Sequence, residues 1–229
     1  MQKDVQSILQ STAKVIVGKD ETILQAVIAM LCGGHVLLED VPGVGKTQLA
    51  AALSRSVGGE FHRIQLTPDI MPSDITGYSV VNQTDGTLEY RPGAAICNFL
   101  LADEINRASP KVQSALLEIM EEHQISLDGK THMLPTPFMV IATQNPVETY
   151  GTYHLPEAQM DRFFMKISMG YPTLQEELAI LERNGEKNPI SNISEPVIST
   201  EQVRTLQEQV NTVQVSENVR NYIISLVHA

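Results

Sequence analysis

Three features of the 229-residue chain predict an α/β fold with a parallel sheet between helical layers. Four short apolar runs, at residues 35–39, 61–66, 98–102 and 138–143, are each bounded by polar, glycine or proline residues, as strands buried on both faces are. Helical patterns alternate with these runs, which is the order of a parallel sheet. The glycine-rich segment Asp40-Val41-Pro42-Gly43-Val44-Gly45-Lys46-Thr47 joins the first run to Gln48-Leu49-Ala50-Ala51-Ala52-Leu53, so it lies at a strand-to-helix turn.

Taken in order, Val5, Ile8 and Leu9 share a helix face over residues 4–15. Val17-Gly18-Lys19-Asp20 breaks that pattern, and Ile23, Leu24, Val27, Ile28 and Leu31 resume it until Gly33-Gly34 stops the helix. Beyond the second strand, residues 77–81 and 87–90 flank a polar turn and read as a hairpin. A helix over 110–122 follows the strand that ends in Asp103-Glu104. A second hairpin is expected at 124–127 and 130–134, because Asp128-Gly129 favours a tight two-residue turn. Arg162 is expected on a helix ahead of one more apolar strand.

After Tyr171-Pro172 the character changes to three helical patterns, at 173–183, 200–210 and 217–227, joined by polar, proline-containing loops. The expected division is therefore an α/β core over 1–171 and a helical unit over 172–229. The last pattern still runs at Ala229, which predicts that the unit is partial and the sequence a piece of a longer protein.

Composition supports a globular chain, with 42% hydrophobic and 19% charged residues. No apolar run approaches the length of a membrane span and no signal peptide is readable, so a cytoplasmic location is expected. Sixteen basic against twenty-seven acidic side chains give a formal net charge of −11, which repels a nucleic-acid backbone in the absence of a basic block. Cys32 and Cys97 are isolated and read as buried free thiols. The six histidines show no metal-ligand spacing and carry no assigned role.

The glycine-rich turn has the chemistry of a phosphate cradle. Backbone N–H groups at a helix N-terminus converge on one concavity and carry partial positive charge. Pro42, Gly43, Val44, Gly45, Lys46, Thr47 and Gln48 make up the predicted binding segment. Lys46 would reach β and γ oxygens as a point charge, and the Thr47 hydroxyl would ligate Mg²⁺. Against the pattern G-x-x-x-x-G-K-[ST], Asp40 replaces the first glycine, and the expectation is that aspartate tolerates the left-handed backbone there.

Downstream, Asp103 would complete the magnesium shell and Glu104 would orient or deprotonate the attacking water. An N-cap is the structural alternative for that pair. Asn145, at the same predicted sheet edge, fits either a γ-phosphate contact or a turn asparagine before Pro146. Arg162 fits either a surface ion pair or a cation acting on the γ-phosphate.

With these motifs in view, residues 16–167 resemble the core of AAA+ ATPases of the MoxR family. The resemblance rests on Val36-Leu37-Leu38-Glu39 with the phosphate loop, Leu101-Ala102-Asp103-Glu104-Ile105-Asn106-Arg107-Ala108, Ala142-Thr143-Gln144-Asn145-Pro146, and Leu155-Pro156-Glu157-Ala158-Gln159-Met160-Asp161-Arg162-Phe163. It implies that Asn145 is a sensor, that Arg162 is a finger acting across a subunit boundary, and that Ile16, Val17 and Gly18 line an adenine pocket. It also implies an ATP- and Mg²⁺-dependent homo-oligomeric ring, a hexamer, whose hairpins line the pore or one face. Such proteins mature or activate partner complexes, often together with von Willebrand factor A domain proteins. One family feature, a second-sensor arginine in a Ser-Pro-Arg-like motif, has no match before Ala229.

Three functions follow as expectations. The leading one is an ATP-hydrolysing chaperone that remodels partner proteins. A helicase-like or DNA-remodelling motor is second, lowered by the acidic balance and by a second hairpin offering only Lys130 and His132 to phosphates. A nucleotide-gated scaffold with little turnover is third, opposed by Glu104.

Overall fold

The computed structural model describes residues 1–147, 151–183 and 189–228. In chain order, α1 (Gln2–Ala13) and α2 (Asp20–Leu31) precede β1 (Val36–Glu39), α3 (Lys46–Ser56) and β2 (Phe61–Gln65). A short α4 (Pro72–Thr76) leads into the hairpin β3 (Tyr78–Val81) and β4 (Leu88–Arg91). Next come β5 (Phe99–Asp103), α5 (Pro110–Glu122), the hairpin β6 (Gln124–Leu127) and β7 (Lys130–Met133), and β8 (Met139–Gln144). The chain continues through α6 (Glu157–Met160), β9 (Met165–Ile167), α7 (Leu174–Arg183), α8 (Thr200–Val210) and α9 (Glu217–Val227).

The five longer-range strands form one parallel sheet in the order β2-β5-β8-β1-β9. Successive side chains on a strand point to opposite faces, and both faces here are apolar. Val36, Leu38, Phe99, Leu101, Met139 and Ile141 enter one core, beneath α1, α2 and α3. Leu37, Leu100, Ala102, Val140 and Ala142 enter the other, beneath α5. This double burial is why the strands read as continuous apolar runs rather than alternating ones. From β1 the chain crosses to β2 on one side, and from β8 it crosses to β9 on the other. The C-terminal ends around β1 are thus a topological switch point, where α/β sheets open a crevice.

His35 ties the start of β1 to α5 and β8. Its Nε2 lies 2.9 Å from the carbonyl of Met120, while Nδ1 accepts the Val140 backbone N–H at 2.9 Å, so the ring is neutral with the proton on Nε2. Burial, together with nearby His123, pushes its pKa from 6.5 down to about 4, against the raising effect of the Met120 carbonyl. A role for this histidine was absent from the sequence expectations. Among the cysteines, Cys97 is buried, and desolvation pushes its thiol up to about 12; Cys32 is exposed instead of buried, because it caps the outward end of α2.

Both expected hairpins are present, and Asp128 and Gly129 take φ of 50° and 73°, the left-handed pair a tight turn requires. The rings of Tyr90 and His132 stack with centroids 3.9 Å apart, joining one hairpin to the other. Unforeseen in the sequence, α4 starts at Pro72 and is closed by the Asp74 carboxylate accepting the Met71 N–H at 2.7 Å.

Past Tyr171 the three helices behave differently. Ile193, Ile198, Val203 and Leu206 belong to the first core, and the Gln207 amide donates to the Met30 carbonyl at 2.7 Å, so α8 is seated on α2. By contrast α9 buries no residue. Among the described residues no helix is long and apolar enough to cross a membrane.

Candidate active site

Parallel register brings Asp103 level with Gln65 on β2, and Glu39 level with Gln144 on β8. The residues that follow these strands therefore meet at one sheet edge, around a cleft of about 380 Å³. Pro42, Gly43, Gly45, Lys46, Thr47 and Gln48 form one wall; Arg63, Gln65, Asp103, Glu104 and Asn145 form the other. Val44 packs against the first core instead.

The cradle wall is a turn that only glycine adopts without strain. Gly43 and Gly45 have φ of +89° and +98°, and Gly45 caps α3, whose first residues are Lys46 and Thr47. Asp40 corrects the sequence expectation, since it is not among the residues with positive φ. Its buried carboxylate accepts the Ser168 hydroxyl at 2.9 Å and the backbone N–H groups of Met169 and Gly170. An aspartate there staples the start of the loop to the chain leaving β9, a task glycine cannot perform. The Lys46 ammonium donates to the Asp40 carbonyl at 2.7 Å, which holds it beside the turn.

On the opposite wall, Thr143 bonds to both Asp103 and Glu104. Its hydroxyl donates to Asp103 Oδ1 at 2.5 Å and accepts the backbone N–H of Glu104 at 2.9 Å. Asp103 Oδ2 takes Arg63 Nη2 at 2.7 Å, and Glu104 Oε2 takes Arg107 Nη1 at 3.0 Å. Glu104 has φ 59° and ψ 53°, a strained conformation that re-aims its side chain at the strand end, and it makes no side-chain cap. Thr143, Arg63 and Arg107 escaped the sequence reading. The register of β5 beside β8 could have pointed to Thr143, since it pairs Ala102 with Ala142, one residue before Asp103 and Thr143.

Asn145 is buried, and its Oδ1 accepts the Val147 N–H at 3.2 Å, which leaves the amide's donor end for the cleft. The turn-asparagine bond is thus present, and Asn145 also lines the cleft. Arg162 lies in the turn after α6, not on a helix, because the chain must bend at Phe163 for Phe164 to pair with His35 at the edge of β1. Its guanidinium forms an ion pair with Glu121 and donates to the Leu117 carbonyl at 3.2 Å, both on α5. These groups line a separate hollow with Ser114, Glu118 and Gln159. Val17 and Gly18 also stand apart from the cleft. A Cβ at Gly18 would fall 1.8 Å from Glu176 of α7, whose carboxylate lies 3.9 Å from Lys19.

The donors suit a hydrated hard cation. Thr47 and Asp103 face each other in the cleft, and among the described residues no cluster of three or more His, Cys, Asp or Glu could hold a metal without help. Magnesium is commonly held in this way, by one or two protein oxygens plus substrate phosphates.

Comparisons with known proteins agree with this geometry. The model of the ATPase family associated with various cellular activities (AAA) matches residues 35–165, more than half of the chain. The chain is 52% identical over 214 residues to YeaC of Bacillus subtilis, covering 93% of this chain and 67% of that protein. It is 45% identical over 216 residues to the chaperone MoxR1 of Mycobacterium tuberculosis, covering 94% of this chain and 56% of that one. The crystal structure of a proposed ATPase from Cytophaga hutchinsonii superposes with a TM-score of 0.90 at 42% identity, over 100% of this chain and 69% of that one. The chain thus spans between half and about two thirds of these proteins.

Proposed function

From the premise that the chain belongs to the MoxR family of AAA+ ATPases, we propose that it hydrolyses ATP to remodel, mature or activate partner protein complexes. The observation that carries this reading is the assembly of Lys46, Thr47, Asp103, Glu104 and Asn145 around one cleft. The N–H groups of the glycine turn and Lys46 hold the polyphosphate. Thr47 and Asp103 would hold Mg²⁺, which would supply charge neutralisation at the phosphates. Glu104 orients and deprotonates the attacking water, and the Asn145 amide fixes the γ-phosphate or that water.

Arg162 completes charge stabilisation on a neighbouring copy's site, in a ring that we take to be a hexamer working in the cytoplasm. Val17 and Gly18 meet the adenine end, and the unit past Tyr171 acts as a lid over it, reached through the Lys19–Glu176 pair. The hairpins pass the motion to a client, for which a protein with a von Willebrand factor A domain is the candidate. The motor reading loses support because His132, one of two possible phosphate contacts on its hairpin, is stacked on Tyr90.

The test is Glu104→Gln. The variant is expected to bind ATP as the parent does and to turn it over about 100-fold more slowly or worse. In cell extract with ATP it should retain a client protein that a Lys46→Ala bait does not. Equal turnover by variant and parent would remove Glu104 as the base, and nuclease-sensitive recovery of DNA would favour the motor.

A further inference from the structure

We propose that Arg63 is a built-in counter-ion for Asp103, occupying in the free protein the carboxylate oxygen that a divalent cation takes when nucleotide binds. The inference rests on the reading of Asp103 as a magnesium ligand. Both Asp103 oxygens are engaged: Oδ1 by the Thr143 hydroxyl at 2.5 Å and Oδ2 by Arg63 Nη2 at 2.7 Å. The Thr143 bond is buried between β5 and β8, so Oδ2 is the oxygen that can be given up.

Arg63 is placed to give it up. It stands on β2, the edge strand of the sheet, with its side chain 48% exposed against 14% for Asp103. Gln65, two residues on and on the same face, accepts from the same Nη2 at 3.0 Å and gives the guanidinium a second anchor along the cleft wall. Without this cation the cleft would set the Asp103 and Glu104 carboxylates side by side, with Arg107 matching only the second. In a chain of net charge −11, removing the guanidinium from Asp103 leaves less positive charge beside that carboxylate when no nucleotide is bound. Cation binding at Asp103 is therefore an exchange of one positive charge for another, and the guanidinium sets the concentration at which it happens.

The experiment is the free-Mg²⁺ dependence of mant-ADP binding, measured by fluorescence for the parent, Arg63→Ala and Arg63→Lys, with far-UV circular dichroism to confirm folding. Arg63→Ala is expected to lower the Mg²⁺ midpoint about twofold to fivefold, the range for a half-exposed ion pair. Arg63→Lys should return the midpoint toward the parent's. An unchanged or raised midpoint in a folded Arg63→Ala overturns the counter-ion role while leaving the nucleotide site standing. Failure of the parent to bind mant-ADP at any Mg²⁺ concentration, with Lys46→Ala indistinguishable from it, overturns the nucleotide reading itself.

Discussion

The phosphate cleft and the hollow around Arg162 use the same kinds of charged side chain to opposite ends. In the cleft, residues from four strand ends converge; each carboxylate, Asp103 and Glu104, has an arginine partner within one chain, and Thr143 bonds to the Asp103 carboxylate and to the Glu104 backbone N–H. In the hollow, Arg162 is held by Glu121 and the Leu117 carbonyl on α5, and none of these three lines the cleft. On the proposed reading, one chain assembles the binding and base chemistry, while Arg162, the cation proposed to act on the γ-phosphate, faces elsewhere. As proposed, a second copy completes a site split in this way.

The largest effect expected is at Lys46. Lys46→Ala should abolish measurable ATP binding in equilibrium fluorescence, since among the described residues no other ammonium lines the cleft. Retained affinity would break the picture of a self-sufficient binding wall. Next, Arg162→Ala should lower turnover about 1,000-fold while leaving nucleotide affinity within about twofold of the parent. A matching loss of affinity would mean that Arg162 works within its own chain.

Thr143→Val keeps the shape of a fully buried side chain and deletes the hydroxyl that serves Asp103 and Glu104 together. Steady-state ATPase assays should show a loss of about tenfold in kcat, the scale of one hydrogen bond to a charged group. An unchanged kcat would show that the two arginines alone position the carboxylates.

The last effect is on stability rather than on turnover and lies away from both regions. His35 is neutral when folded, with its pKa lowered to about 4, so the unfolded chain binds the proton more readily. Its stabilising effect is fully present above pH 6.5 and falls away as pH drops toward 4, by about 3 kcal/mol. Urea unfolding at neutral and acid pH should show His35→Asn to be less stable than the parent at pH 7 but with a shallower acid slope. Equal slopes would place the proton elsewhere.

The same contrast marks how far the sequence could be read. The cleft's binding wall was legible because strand, glycine turn, Lys46 and Thr47 are contiguous, and Asp128-Gly129 announced its hairpin for a similar local reason. Apolar runs gave away the strands because both faces of the sheet are buried. Residues whose role depends on a distant partner were not legible. Asp40 looked like a tolerated glycine substitute, yet it bonds to residues 168–170 across the sheet. Arg63, Thr143 and His35 act through neighbours that only strand order supplies. Helical spacing past Tyr171 suggested three helices, but spacing says nothing of which one finds a surface, and α8 is seated while α9 is not.

The most direct test of the divided site is subunit mixing. Arg162→Ala subunits keep a complete binding wall and lack the finger; Lys46→Ala subunits lack the wall and keep the finger. Each alone should be inactive, and mixing them should restore ATP turnover at the junctions where an intact wall meets an intact Arg162. No recovery at any ratio, in mixtures shown to co-assemble, would contradict the account and return Arg162 to a surface ion pair with Glu121.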